Sequence, residues 1–172
     1  MQINKNIIPL DQYLNRVLYD KIDGYYMKKN PFGQKGDFIT APNISILFSE
    51  IITIWIVLFW KSLNSPKKIN LVELGAGNAE MMYQIIKTSE KFPQFKKACN
   101  CYIFEKSPRL KKIQKRKLKK YKIIWINNLK KINQNPTLFI GNEFFDALPI
   151  KQFIKKGNLW YERFIDISNK EK

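Results

Sequence analysis

The segment Val72-Glu73-Leu74-Gly75-Ala76-Gly77-Asn78 limits the fold more than any other part of the chain. The apolar run Ile69 to Leu74 stops at Gly75. From Asn78 to Lys91 the apolar residues Met81, Met82, Ile85 and Ile86 recur at helical spacing. A short apolar run ended by glycines and followed by a helix reads as a buried parallel strand turning tightly into a helix. In doubly wound sheets, ligands bind beyond the carboxyl ends of the strands. Glycines there let a ligand approach the backbone with no Cβ in the way, and the helix N-terminus offers free N–H groups. A dinucleotide fingerprint needs a third glycine at position 80, which is Glu80, and there is no Gly-Lys-Ser/Thr of a phosphate loop. The remaining Glu-x-Gly-x-Gly suits a ligand with a carboxylate and a positive centre. S-adenosylmethionine has both, and its sulfonium tolerates a neighbouring carboxylate such as Glu73. A plain strand-to-helix turn accounts for the same residues.

The rest of the chain repeats this alternation, which points to an α/β architecture. Pro9 to Tyr19 reads as an amphipathic helix, Asp23-Gly24 as a turn, and Asn30 to Pro42 as a loop. A strongly apolar, buried helix is expected from about Ile44 to Ser62. Cys101 to Phe104, Ile123 to Ile126 and Thr137 to Ile140 read as strands, and Pro108 to Lys120 as a very basic helix with Leu110, Ile113 and Leu118 along a narrow stripe. Ile150 to Lys155 and Leu159 to Ile165 flank Gly157-Asn158, as in a β-hairpin. The 172 residues suit one core. Residues 1–66 are expected to form a helical and loop cap, and 67–172 a partial Rossmann-like domain.

The chain carries 31 basic against 14 acidic residues, a formal charge of +17. Such an excess favours acidic partners, but Arg16, Arg109, Arg116 and Arg163 are the only arginines, and phosphate and base recognition leans on the planar guanidinium. Nucleic-acid binding by the Lys-rich helix is therefore set below a solvated helix face. No histidine is present, which excludes His-based triads and His-containing metal sites. Cys99 and Cys101 read as reduced core residues on one strand face, and no metal site is expected. The run Ile51 to Trp60 is too short to span a bilayer, and the amino terminus lacks a signal core or transit-peptide character. A cytoplasmic location follows as the expectation.

Two further segments carry chemistry. Glu105, at a strand end, can accept hydrogen bonds from both hydroxyls of a ribose, or it can serve the next helix start. Gly141-Asn142-Glu143-Phe144-Phe145-Asp146-Ala147-Leu148-Pro149 puts an amide and two carboxylates on the same sheet edge as the glycine turn. Paired acids can hold a guanidinium and accept its proton; acids at a helix start are the alternative.

These segments, with Asp23-Gly24-Tyr25-Tyr26, Gly36-Asp37-Phe38-Ile39-Thr40-Ala41-Pro42 and Phe104-Glu105-Lys106-Ser107-Pro108-Arg109-Leu110, occur in a fixed order over residues from about 9 to 165. In that combination the chain resembles the MidA-like methyltransferases, the family of the mitochondrial complex I assembly methyltransferase and its bacterial relatives. The resemblance implies a Rossmann-like methyltransferase fold, a mostly parallel sheet flanked by helices behind an N-terminal helical segment. It implies S-adenosyl-L-methionine as cofactor, bound by Glu73, Gly75, Gly77 and Glu105, with Asn142 and Thr40 beside them. Glu143, Asp146 and Asp37 are the catalytic candidates for an arginine acceptor on a protein substrate, in the family's best-known case a complex I subunit. The chain departs from the family pattern at Asn43, where Glu is usual, at Ser49, and at Asn78-Ala79, where another glycine is usual. It is also about half the usual length, so the resemblance implies a fold incomplete at its C-terminus. A truncated non-catalytic relative, or half of a split protein completed by a complementary C-terminal chain, is the second reading.

Overall fold

A computed structural model of the chain describes residues 6–28, 31–33 and 36–168. In chain order the elements are β1 (Ile7–Pro9), α1 (Leu10–Tyr19), α2 (Tyr25–Lys28), α3 (Ala41–Ile44), α4 (Ile46–Ser62), β2 (Ile69–Leu74), α5 (Glu80–Ser89), α6 (Pro93–Ala98), β3 (Cys99–Phe104), α7 (Pro108–Lys117), β4 (Ile123–Ile126), β5 (Thr137–Ile140), β6 (Phe153–Lys156), β7 (Leu159–Glu162) and β8 (Phe164–Asp166). Two compact units result, one of Lys29–Phe144 and one of Met1–Lys28 with Phe145–Lys172.

The larger unit holds a four-stranded parallel sheet in the order β4-β3-β2-β5. Val72 lies opposite Tyr102 on one side and Phe139 on the other. The chain builds outward from β2 through β3 to β4, then returns to place β5 on the far side of β2. The strand order therefore reverses between β2 and β5, the crevice where open α/β sheets take ligands. Side chains of β2 alternate between two apolar layers, as a pleated strand requires. Ile69 and Leu71 join Ile56, Val57 and Trp60 of α4, Met82 and Ile85 of α5, and Phe95 of α6. Val72 packs with Tyr102 and Ile126 in the second layer. Asn70, a buried amide in an apolar run, is satisfied by Asn133 Oδ1 at 2.8 Å, Thr137 Oγ1 at 3.2 Å and the amide of Asn100 at 3.2 Å.

Local chemistry sets the element ends. Ser107 Oγ accepts the N–H of Leu110 at 3.3 Å and Pro108 follows it, so α7 starts there. The continuous helix expected from Ile44 is broken at Ser45, which is extended (φ −140°, ψ 124°) and separates α3 from α4. That helix is also not buried all round. Ile51, Ile54, Trp55 and Leu58 are exposed, whereas Thr53, Ile56, Val57 and Trp60 face the core. β3 begins two residues earlier than expected, and α6 fills the preceding stretch. Cys99 and Cys101 are free, as expected. Their sulfurs lie 3.9 Å apart on one strand face, and the hydrogen bond between them, with burial, pushes the Cys99 thiol up. Among the described residues no helix is long and apolar enough to cross a membrane.

In the smaller unit, β6 and β7 form the expected hairpin around Gly157-Asn158, with Lys156 opposite Leu159. Arg163 ends the ladder. β8 then pairs antiparallel with β1, a strand the sequence did not signal. The Tyr19 hydroxyl at the end of α1 donates to the Ala147 carbonyl at 2.7 Å.

Candidate functional site

The turn after β2 is built from left-handed backbone. Gly75 has φ +64° and Gly77 φ +52°, a region that costs an L side chain about 1–2 kcal/mol. Space is short as well: a Cβ on Gly75 would stand 2.6 Å from the Phe144 ring, and one on Gly77 3.1 Å from the Phe32 ring. Ala79 is also left-handed (φ +62°), directly before α5 begins. The two-residue delay against the expected start at Asn78 is this turn.

A small open cleft lies over the turn, and Thr40, Glu73, Gly75, Gly77 and Asn142 are among the residues lining it. Five of the nine residues singled out from sequence thus meet there. Phe32, Asn43 and Asn78 line it too. Asn78 Nδ2 donates to Asn43 Oδ1 at 2.8 Å, and Asn43 Nδ2 donates to Thr40 Oγ1 at 2.9 Å. Asn43 and Asn78 are therefore partners, and they tie the 40–43 segment to the glycine turn.

Glu73 is the electrostatic centre of the cleft. It is buried, and its Oε2 has no hydrogen-bond partner. Burial pushes its carboxyl up to about 8, with Glu105 adding to the effect and the backbone N–H of Met82 and the Lys117 ammonium opposing it. A buried carboxyl with one unused oxygen is a site waiting for a donor or a cation.

Glu105 lies outside the cleft lining, buried at the end of β3. Its Oε1 accepts the N–H of Ser107 at 2.8 Å, so the service to the next helix start is present. Its Oε2 accepts from Gln114 Nε2 at 2.9 Å. Burial raises its carboxyl, against the Ser107 N–H, the Gln114 amide, the Lys106 N–H and the Lys111 charge. Gln114, fully buried on α7, escaped notice in the sequence. The signal was its spacing of four from Leu110, which sets it on the inward face of the helix.

None of the three candidate acids is among the residues lining the cleft. Glu143 is exposed, with φ +54°, and accepts from the Asn142 amide at 3.3 Å. Asp37 is exposed in the 36–38 turn. Asp146 falls in the smaller unit, in the turn Phe145–Ala147. Phe144 covers Gly75 and stacks edge-on against Phe104 at 6.4 Å, whereas Phe145 is exposed.

A family model described as "Putative S-adenosyl-L-methionine-dependent methyltransferase" matches residues 51–172. The chain belongs to this methyltransferase family. Among curated proteins the chain is 33% identical to the Drosophila melanogaster "Protein arginine methyltransferase NDUFAF7 homolog, mitochondrial", over 95% of its own length and 42% of that protein's. It is 30% identical to the Homo sapiens protein arginine methyltransferase NDUFAF7, over 93% and 42%. The chain spans about two fifths of the length of these relatives. A crystal structure from Burkholderia thailandensis, bound to S-adenosyl-homocysteine, superimposes with a TM-score of 0.76 at 23% identity, covering 95% of this chain and 43% of that one. The Rossmann-like methyltransferase fold expected from sequence is borne out. The cytoplasmic expectation is overturned, because these curated relatives are named as mitochondrial proteins.

The cleft fits the family's cofactor, S-adenosyl-L-methionine. It offers a left-handed glycine turn in its lining and an orphaned carboxyl oxygen for a positive centre.

Proposed function

We propose that this chain binds S-adenosyl-L-methionine over the β2 turn and serves transfer of its methyl group to an arginine of a protein. The unpartnered Oε2 of buried Glu73, between Gly75, Gly77 and Asn142, is the observation that carries the reading. When bound, the cofactor supplies an electrophilic methyl on a sulfonium.

The chain's own residues bind and orient. Gly75 and Gly77 give the turn its left-handed path, Glu73 faces the ligand's positive end, and Glu105 accepts from a ribose hydroxyl. Thr40 and Asn142 complete the polar lining of the cleft. Phe144 and Phe32 keep water from the glycine backbone. Alignment and exclusion of water are what a displacement at a methyl group needs most.

Glu143, Asp37 and Asp146 remain the candidates to hold a guanidinium and take its proton. The names of the curated relatives support an arginine on a protein as acceptor. The family resemblance makes a complex I subunit the first one to assay.

The test is methylation of candidate protein acceptors with labelled cofactor. Gly75→Val and Glu73→Gln are each expected to abolish labelling in folded protein. Labelling that survives both substitutions removes the reading.

A further inference from the structure

Gln114 has every polar atom of its amide engaged. Nε2 donates to Glu105 Oε2 at 2.9 Å and to the Gly77 carbonyl at 3.1 Å. Oε1 accepts from the Trp125 indole at 3.1 Å. The partners fix which way the amide points. Indole N–H can only donate, and a carbonyl or carboxylate oxygen accepts, so the reversed amide would lose all three bonds. The residue is completely buried and joins three segments: the end of β3 through Glu105, the glycine turn through Gly77, and β4 through Trp125.

We infer that Gln114 is a positioning residue for the cofactor's ribose, holding the Glu105 carboxylate at a fixed orientation and distance from the glycine turn. The inference rests on the reading of the cleft as a cofactor site. Each carboxylate oxygen has two acceptor positions. The N–H groups of Ser107 and Lys106 and the Gln114 amide take three of the four positions, which leaves one for a ribose hydroxyl. The same amide clamps the Gly77 carbonyl, so the two ends of the nucleoside site are set by one side chain. Trp125 sets the amide in turn.

A ligand pair isolates this role from a structural one. S-adenosylhomocysteine and its 2′-deoxyribose analogue differ by one hydroxyl. Loss of a hydrogen bond to a charged acceptor is expected to weaken wild-type binding about tenfold or more. In Gln114→Met, similar in volume but without donors, that discrimination is expected to fall below about threefold, because Glu105 is no longer held toward the diol. Equal weakening of both ligands, with the ratio unchanged, assigns Gln114 to packing alone and overturns the inference while leaving the cofactor site standing. Failure of wild type to bind either ligand overturns the cofactor reading and the inference with it. Trp125→Phe, at a half-buried position, removes only the indole donor and serves where Gln114→Met does not fold. Its discrimination is expected to drop several-fold, and full discrimination there also overturns the inference.

Discussion

Asn78 Nδ2 lies 2.8 Å from Asn43 Oδ1 and joins the turn after β2 to the segment leading into α4. Both residues are half-buried. Asn43→Ala and Asn78→Ala are each expected to destabilise the chain, and the double variant to cost less than the sum by about 0.5–1.5 kcal/mol. Urea unfolding of all four proteins measures this. Strict additivity would show that the contact does not couple the two segments.

Gly75 and Gly157 separate strain from crowding. Both are left-handed, at φ +64° and φ +60°. A Cβ at Gly157 meets nothing within 4 Å, whereas one at Gly75 meets Phe144 at 2.6 Å. Gly157→Ala is expected to cost about 1–2 kcal/mol, the backbone term alone. Gly75→Ala carries that cost plus displacement of an aromatic ring, and should be the more destabilising by denaturant titration. Equal losses would mean that Phe144 yields freely.

Much of this was legible in the sequence. The apolar runs of β2, β4 and β5 were each bounded correctly, since a buried parallel strand is continuous apolar sequence between breakers. Of the five cleft residues, Glu73, Gly75, Gly77 and Asn142 followed from motifs at strand ends, and Thr40 from the family resemblance. What stayed hidden depends on distant partners. β1 is three residues long and exists only by pairing with β8, near the other end of the chain. Gln114 reads as an ordinary polar residue on a Lys-rich helix until Glu105, Gly77 and Trp125 surround it. The exposed side of α4 could not be told from its buried side, because its apolar residues run all around the helix.

Glu73 gives a pH dependence of defined sign. Its carboxyl is raised from 4.5 to about 8 in the folded chain. Between those values the folded state holds a proton that the unfolded state has released, so stability falls as pH rises through this window. Glu73→Gln removes that contribution. Its melting temperature is expected to gain on wild type steadily from pH 5 toward pH 8. A constant gap across this range would mean that Glu73 does not bind the proton.

Cofactor binding should draw on the same group. A cationic ligand pairs with ionised Glu73, so affinity for S-adenosyl-L-methionine is expected to rise with pH until Glu73 is ionised in the free protein, near 8. Calorimetry in buffers of different ionisation enthalpy should register proton release at neutral pH. Proton uptake, or no exchange, would remove Glu73 from the positive end of the ligand.

The most direct measurement is calorimetric titration of the purified chain with S-adenosyl-L-methionine, beside Gly75→Val. Saturable one-to-one binding by the wild type, absent from a folded Gly75→Val, is the expected result. A folded wild type that takes up no cofactor would contradict the assignment of the β2 cleft.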